Sequence, residues 1–290
     1  MGTGLDMTEI AARDYQAARA KAPPLSATSP MYNLPEMRAL YLAFWDALAA
    51  ELGPEAGELP QAFSFDRPAV PEAIGSEVFF SQTCGYPLQT IYRGQYQLLG
   101  VPSYDAPGCG EATHCAFLLV RDGSPFETVE DLRGTRFACN SRQSNSGMNL
   151  PRRLIAPLAG GKPFFGEVVE TGTHPFSMAR VAAGELDAAS IDCMTYAYFS
   201  QHRPEAVAGL RVIAQTPRSP AIPFVTSIAT APARVQALRA ALLALSSKPE
   251  HRPVLQALRI ASIGPASPAA YERILDYERE AAELGYPELV

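Results

Sequence analysis

The sequence predicts an α/β fold. Two observations carry this. Short strand-like runs alternate with helix-like stretches along most of the chain, and polar loops ending in proline recur where helices begin. The 290 residues allow one large domain or two ordinary ones, and 47% hydrophobic with 19% charged residues is enough for a proper core.

The elements follow in chain order. The segment before Pro23-Pro24 alternates alanine with charges and is expected to be one amphipathic helix in an N-terminal extension, residues 1–24. The clearest helix follows Asn33. Met37, Leu40, Tyr41, Phe44, Trp45, Leu48 and Leu52 recur at the three-and-four spacing of a buried stripe, and Gly53-Pro54 ends it. Strands are expected at 77–81, 97–101, 116–120, 135–139, 167–170, 188–191 and 210–214. VEDLRG (129–134) reads as a short helix closed by Gly134. ARVAAGELDAA (179–189) reads as a helix, a glycine stop and entry into a strand. Residues 233–245 and 269–284 read as helices. Two extended or proline-interrupted segments, CAFLLVR (115–121) and QTPRSPAIPFVTS (215–227), are candidate crossings between lobes.

Composition excludes several classes of function. A net charge of −6 without a dense Lys/Arg run argues against nucleic acid as a partner. No apolar run reaches the 18 or more residues of a membrane span, so the chain is not expected to be membrane-embedded. MGTGLDMTEIAARDYQAARAKAPP has no charged segment followed by an apolar one, so it is not read as a signal peptide; a cytoplasmic location or a processed chain is expected on that ground. The five cysteines, Cys84, Cys109, Cys115, Cys139 and Cys193, form no CxxC pair and read as small buried thiols. A zinc site from Cys109, His114 and Cys115 and a Cys109–Cys115 disulfide are the alternatives. No metal or cofactor is assigned.

NSRQSNSGMNLP (140–151) does not look built for a core. It groups Asn140, Ser141, Gln143, Ser144, Asn145, Ser146 and Asn149 around one glycine and ends in proline. Three other stretches, 29–35, 80–87 and 170–175, share the design of a polar loop and a proline near a helix start. In an open α/β sheet such loops line the ligand crevice, and each brings a helix N-terminus whose free N–H groups attract anions. An acidic protein can thereby hold an anion locally. The loops offer Ser29, Cys84, Asn140, Ser141, Ser144, Ser146, Gly147, Thr171 and His174 as candidate ligand-binding residues. The GxxxxGK[ST] pattern of a nucleotide loop is absent.

SQTCGYPL (81–88), YDAPGC (104–109), DLRGTRFACNS (131–141), SNSGMN (144–149), VVETGTH (168–174) and AAGELDAASIDCMTY (182–196) resemble the phosphate/phosphonate-type substrate-binding proteins of ABC importers, over about residues 25 to 230. The resemblance implies the two-lobed periplasmic-binding-protein fold of the second type, with a ligand cleft between the lobes. The first lobe would be discontinuous, 25–115 plus 220–290, and the second would be 116–215. The serine-rich turn would contact the phosphoryl or similar anionic end, and Tyr32, Gln82, Thr83, Tyr104, His174 and Asp192 would face the cleft. The implied partners are a small anionic solute and an ABC permease, and the implied location is periplasmic.

Two residues have separate readings. His174 is expected to donate to an anion and to change charge near neutral pH. Asp192 is expected either to cap helix 194–201 or to accept from an amine or hydroxyl of the ligand. The expected function is non-enzymatic capture of a phosphate, phosphonate, related oxyanion or carboxylate for uptake or sensing. The alternative is an enzyme with Cys84 or His174 in the cleft, the thiol activated at a helix N-terminus and joined to His174 and Asp192 as a triad.

Overall fold

The structure, a computed structural model, describes residues 24–290; the expected amphipathic helix before Pro23-Pro24 lies outside the described residues. The chain first runs through β1 (Ser26–Thr28), α1 (Arg38–Glu51), β2 (Phe63–Ser64), β3 (Val78–Gln82), α2 (Gly85–Gln89) and β4 (Tyr96–Tyr104). It crosses through β5 (Thr113–His114) into β6 (Ala116–Arg121), β7 (Arg136–Cys139), α3 (Leu150–Ala159), β8 (Glu167–Glu170), α4 (His174–Ala182), β9 (Ala188–Asp192), α5 (Cys193–His202) and β10 (Leu210–Gln215). It returns through β11 (Ser219–Pro220) to β12 (Phe224–Ser227), α6 (Pro232–Ser247), α7 (Arg252–Ala257), β13 (Ile260–Gly264) and α8 (Pro268–Glu283).

Two sheets organise the molecule. One has the order β13-β4-β12-β3-β1-β2, with β1 parallel to both neighbours and β12 and β13 antiparallel to theirs. The other has the order β10-β6-β9-β7-β8, with β7 parallel to β8 and β9. Between them the outgoing and returning segments pair as the ribbon β5–β11, where Ser219 faces His114. The first crossing is therefore 105–115. The expected crossing at 115–121 is instead the strand β6, buried along five of its six residues, which is what an unbroken apolar run becomes in a covered sheet.

The stripe on α1 supplies much of the core beside the first sheet. Trp45 meets Phe79 and Phe80 at ring separations of 6.1 Å each, and Phe44 meets Phe224 at 5.6 Å. Aromatic contacts of this kind contribute about 0.5–1.5 kcal/mol each beyond the area they bury. Gly134, with φ of 77°, ends the Val129–Gly134 segment, whose helical part is only the short turn Glu130–Leu132.

The segment after residue 220 divides. α6 packs on α1, β4 and β13, whereas α8 lies across both α2 and α3. The residues after α8 pack beside the second sheet: Phe164 N–H donates to the carbonyl of Val290 at 2.8 Å, and Arg152 Nη1 donates to the carbonyl of Pro287 at 2.8 Å. Leu289 is fully buried there. Leu289→Ala should therefore lower unfolding stability by about 2–5 kcal/mol, the usual cost of such a truncation in a packed core. Thermal and urea melts would measure it; a loss below about 0.5 kcal/mol would mean this tail adds nothing to the core.

Candidate functional site

The loops at the carboxyl ends of β1, β3, β7, β8 and β9 converge on one cleft of about 640 Å³. Its polar wall comes chiefly from the loop after β7. There Ser144 adopts extended backbone and its Oγ accepts the N–H of Gly147 at 2.9 Å, an N-cap hydrogen bond. Asn149 N–H reaches back five residues to the carbonyl of Ser144 at 3.1 Å, so Asn145–Asn149 forms a π-type turn before α3. Such turns are frequent at functional sites.

That turn sorts the polar residues into two sets. Asn140, Ser141, Gln143, Ser144 and Ser146 line the cleft. Asn145 and Asn149 point into the protein: Asn145 Nδ2 donates to Ser219 Oγ at 2.8 Å, and Asn149 Nδ2 donates to Asn145 Oδ1 and to the carbonyl of Ile274, both at 3.0 Å. Gly147 sits behind the wall. A Cβ there would come within 1.7 Å of Asn140 Oδ1, so only glycine lets the turn lie against Asn140 as it does.

His174 is the first residue of α4, whose cap is Thr173, its Oγ1 accepting Phe176 N–H at 3.3 Å. Its Nε2 lies 3.0 Å from Ser146 Oγ. Burial disfavours the imidazolium and holds its pKa down to about 4. This corrects the expectation that His174 changes charge near neutral pH: the ring is neutral there and meets the serine as a neutral partner.

Asp192 lines the cleft and is only 2% exposed. One carboxylate oxygen accepts the N–H of Thr195 at 2.9 Å, capping α5, and the other lies 2.7 Å from Nδ1 of the equally buried His114. Burial alone would raise the carboxyl pKa, but the hydrogen bond and charge of His114 outweigh it and hold it below the usual range. His114 answers in the opposite direction: burial pushes its pKa down, and Asp192 pulls it above the ordinary histidine value. Each partner therefore favours the charged form of the other. His114 was read from the sequence only as one corner of a zinc site; its carboxylate partner is 78 residues away, and no local signal announces it.

The remaining candidates separate. Tyr32 and Cys84 line the cleft. Tyr32 packs edge-on against Tyr104 and Tyr198 at 5.9 and 5.4 Å. Ser29, Gln82 and Tyr104 instead line a small internal void among aromatic rings, with Ser29 Oγ donating to Gln82 Oε1 at 2.6 Å. Thr83 is buried and off the cleft wall. Thr171 spends its hydroxyl on Ser177, at 2.6 Å. Sequence reasoning missed Glu170, Phe199 and Arg203 on the lining; Arg203 grips both carboxylate oxygens of Glu36 at 2.8 and 3.1 Å.

The thiols correct two further expectations. Cys84 does precede α2, but burial raises its pKa and outweighs the backbone N–H groups, including that of Asn145 at 3.3 Å. All five cysteines are free, and the neighbour of Cys109 is Cys193, with the sulfurs 3.5 Å apart. Among the described residues no group of three or more His, Cys, Asp or Glu side chains could hold a metal ion, and no helix is long and apolar enough to cross a membrane.

Two sheets joined by a paired crossing, with loops from both sides around one cleft, define a two-lobed periplasmic solute-binding protein of the second type. The family described as "ABC transporter, phosphonate, periplasmic substrate-binding protein" matches residues 27–271, and the chain belongs to it. Similar solved structures share the fold. A binding-protein component of an ABC phosphonate transporter from Pseudomonas aeruginosa aligns with TM-score 0.71 and 15% identity, over 90% of this chain and 87% of that one. PhnD1 from Prochlorococcus marinus, in complex with methylphosphonate, aligns with TM-score 0.63 and 16% identity, over 89% and 98%. XAC2383 from Xanthomonas citri, bound to ATP, aligns with TM-score 0.61 and 18% identity, over 91% and 98%. No curated protein matches the chain.

Two predictions follow from these geometries. Asp192→Asn should destabilise the fold by about 3–5 kcal/mol, because it leaves His114 buried beside a neutral group; a loss near zero in a urea melt would mean that only the cap matters, since asparagine caps a helix about as well as aspartate. His174 should make the fold acid-sensitive. Unfolded, the ring takes up a proton near pH 6.5, whereas the folded ring resists until about 4. Stability attributable to it is therefore complete above pH 6.5 and falls, by up to about 3 kcal/mol, as pH drops toward 4. The difference between wild type and His174→Gln in thermal melts from pH 7 to 4 would measure this; parallel profiles would refute it.

Proposed function

We propose that this protein captures a small oxyanion, a phosphonate, phosphate or chemically related group, in the interlobe cleft and presents it to an ABC permease without chemical turnover. One observation carries the reading: Ser144, Ser146, His174 and Asn140 meet on one wall as uncharged hydrogen-bonding groups. Neutral donors can hold an oxyanion, and binding can be strong once the cleft excludes water. Asp192 serves this reading as a structural acid rather than as an acceptor for the ligand, since both its oxygens are already engaged.

Lobe limits of about 25–115 with 221–264, and 116–215, go with this reading. Helix α8 and the residues after it would then lie across both lobes on the side of α2 and α3. The ribbon β5–β11 would be the hinge. A nucleophilic enzyme draws no support from the site: the Cys84 thiol is pushed up in pKa, and Asp192 gives its carboxylate to His114 rather than to His174.

The test is calorimetry of the Ser144→Ala, Ser146→Ala double variant with inorganic phosphate and methylphosphonate. Each hydrogen bond to a charged ligand contributes about 1.5–3 kcal/mol, so affinity should fall at least tenfold. Ser144→Ala also removes a cap worth about 1 kcal/mol, so a melt is recorded alongside. An unchanged Kd in a folded variant would reduce these serines to helix capping.

A further inference from the structure

The oxyanion cradle supplies only part of the cleft lining. A pocket of about 640 Å³ falls in the range of roughly 300–1,000 Å³ that suits an organic ligand of substantial size. Phosphate or a one-carbon phosphonate would leave most of it to water.

The space is not explained by lobes standing apart. Arg203, from the end of α5, already holds Glu36 at the mouth, and Asn145 already reaches Ser219 by its side chain and Cys84 by its backbone. The two sides meet at rim and floor, and the volume remains between them.

The same cleft also has an apolar lining. Met31, Leu34 and Pro35 from the first side share it with Phe199 from the second, and Tyr32 and the exposed Val70 line it too. The ionised groups do not favour a second negative charge on the ligand. Asp192 and Glu170 are acidic, and Arg203, the one arginine on the lining among the described residues, is bound to Glu36. A cleft that offers both a polar cradle and apolar side chains matches a ligand with both kinds of surface.

We infer that the ligand is a phosphonate or phosphate carrying an apolar organic substituent. Its oxyanion head rests on Ser144, Ser146 and His174, and its substituent lies against Leu34 and Phe199. This rests on the oxyanion reading above and narrows it to a class.

The experiment is calorimetric titration of the full chain with inorganic phosphate, methylphosphonate, phenylphosphonate and hexylphosphonate. Phenylphosphonate or hexylphosphonate should bind at least tenfold more tightly than methylphosphonate. Phe199→Ala should shrink that ratio, and so should Val70→Ser, an exposed substitution that leaves the core intact. If phosphate or methylphosphonate binds and the larger phosphonates bind no better, the inference is overturned while the oxyanion reading stands. If none of the four binds, both are overturned. A ratio that persists unchanged in both variants would overturn the placement of the substituent against this wall.

Discussion

The buried pair of His114 and Asp192 ties the β5–β11 ribbon to the cleft. His114 lies on the ribbon that joins the two sheets, and Asp192 is the last residue of β9. Taking two charges out of water costs several kcal/mol each, and their attraction offsets this only with close geometry and satisfied remaining lone pairs. Both conditions hold: the contact is 2.7 Å, and the free carboxylate oxygen takes the N–H of Thr195. The pair adds little net stability for its type, but it fixes position. It ties the crossing to the start of α5, and α5 carries Thr195, Phe199 and Arg203 into the cleft.

The loop after β7 solves a related problem with neutral groups. Seven hydroxyl or amide side chains in ten residues could not all be buried without partners. The π-type turn gives Asn145 and Asn149 inward partners from three other segments, at Ser219, Cys84 and Ile274. It leaves the serines and Asn140 on the cleft. The polar stretch is thus half wall and half stitching, and the same turn does both because a helix-like segment points successive side chains in different directions.

Much of this was legible in the sequence, for identifiable reasons. The α1 stripe and the strands of the second sheet were readable because long periodic or apolar runs are local signals. The short strands β1, β2 and β12 were not: Ser26–Thr28 is three residues, Phe63–Ser64 two, and Phe224–Ser227 sits in a proline-rich stretch that reads as crossing. The polar loops marked the cleft, but adjacency in a loop does not settle direction. Ser29 and Gln82 turn toward each other, whereas Tyr32, three residues on from Ser29, reaches the cleft. The pairing of His114 with Asp192 and the place of Phe199 on the cleft escaped notice because they depend on partners or walls that only the folded chain brings near.

On the proposed reading, an acidic protein that holds an oxyanion must separate its overall charge from its local field. Here the separation is built from hydrogen bonds rather than lysines. Burial keeps His174 neutral, so it adds no positive charge that would have to be desolvated before a ligand arrives. The acid of Asp192 is answered by His114 behind the wall, so less of its charge reaches the cleft. The arginine at the mouth is occupied by Glu36, which joins the lobes instead of drawing the ligand. What remains on the lining is a set of hydroxyl, amide and imidazole groups together with apolar side chains. Such a site discriminates by geometry and by which part of a molecule can be desolvated, more than by net charge.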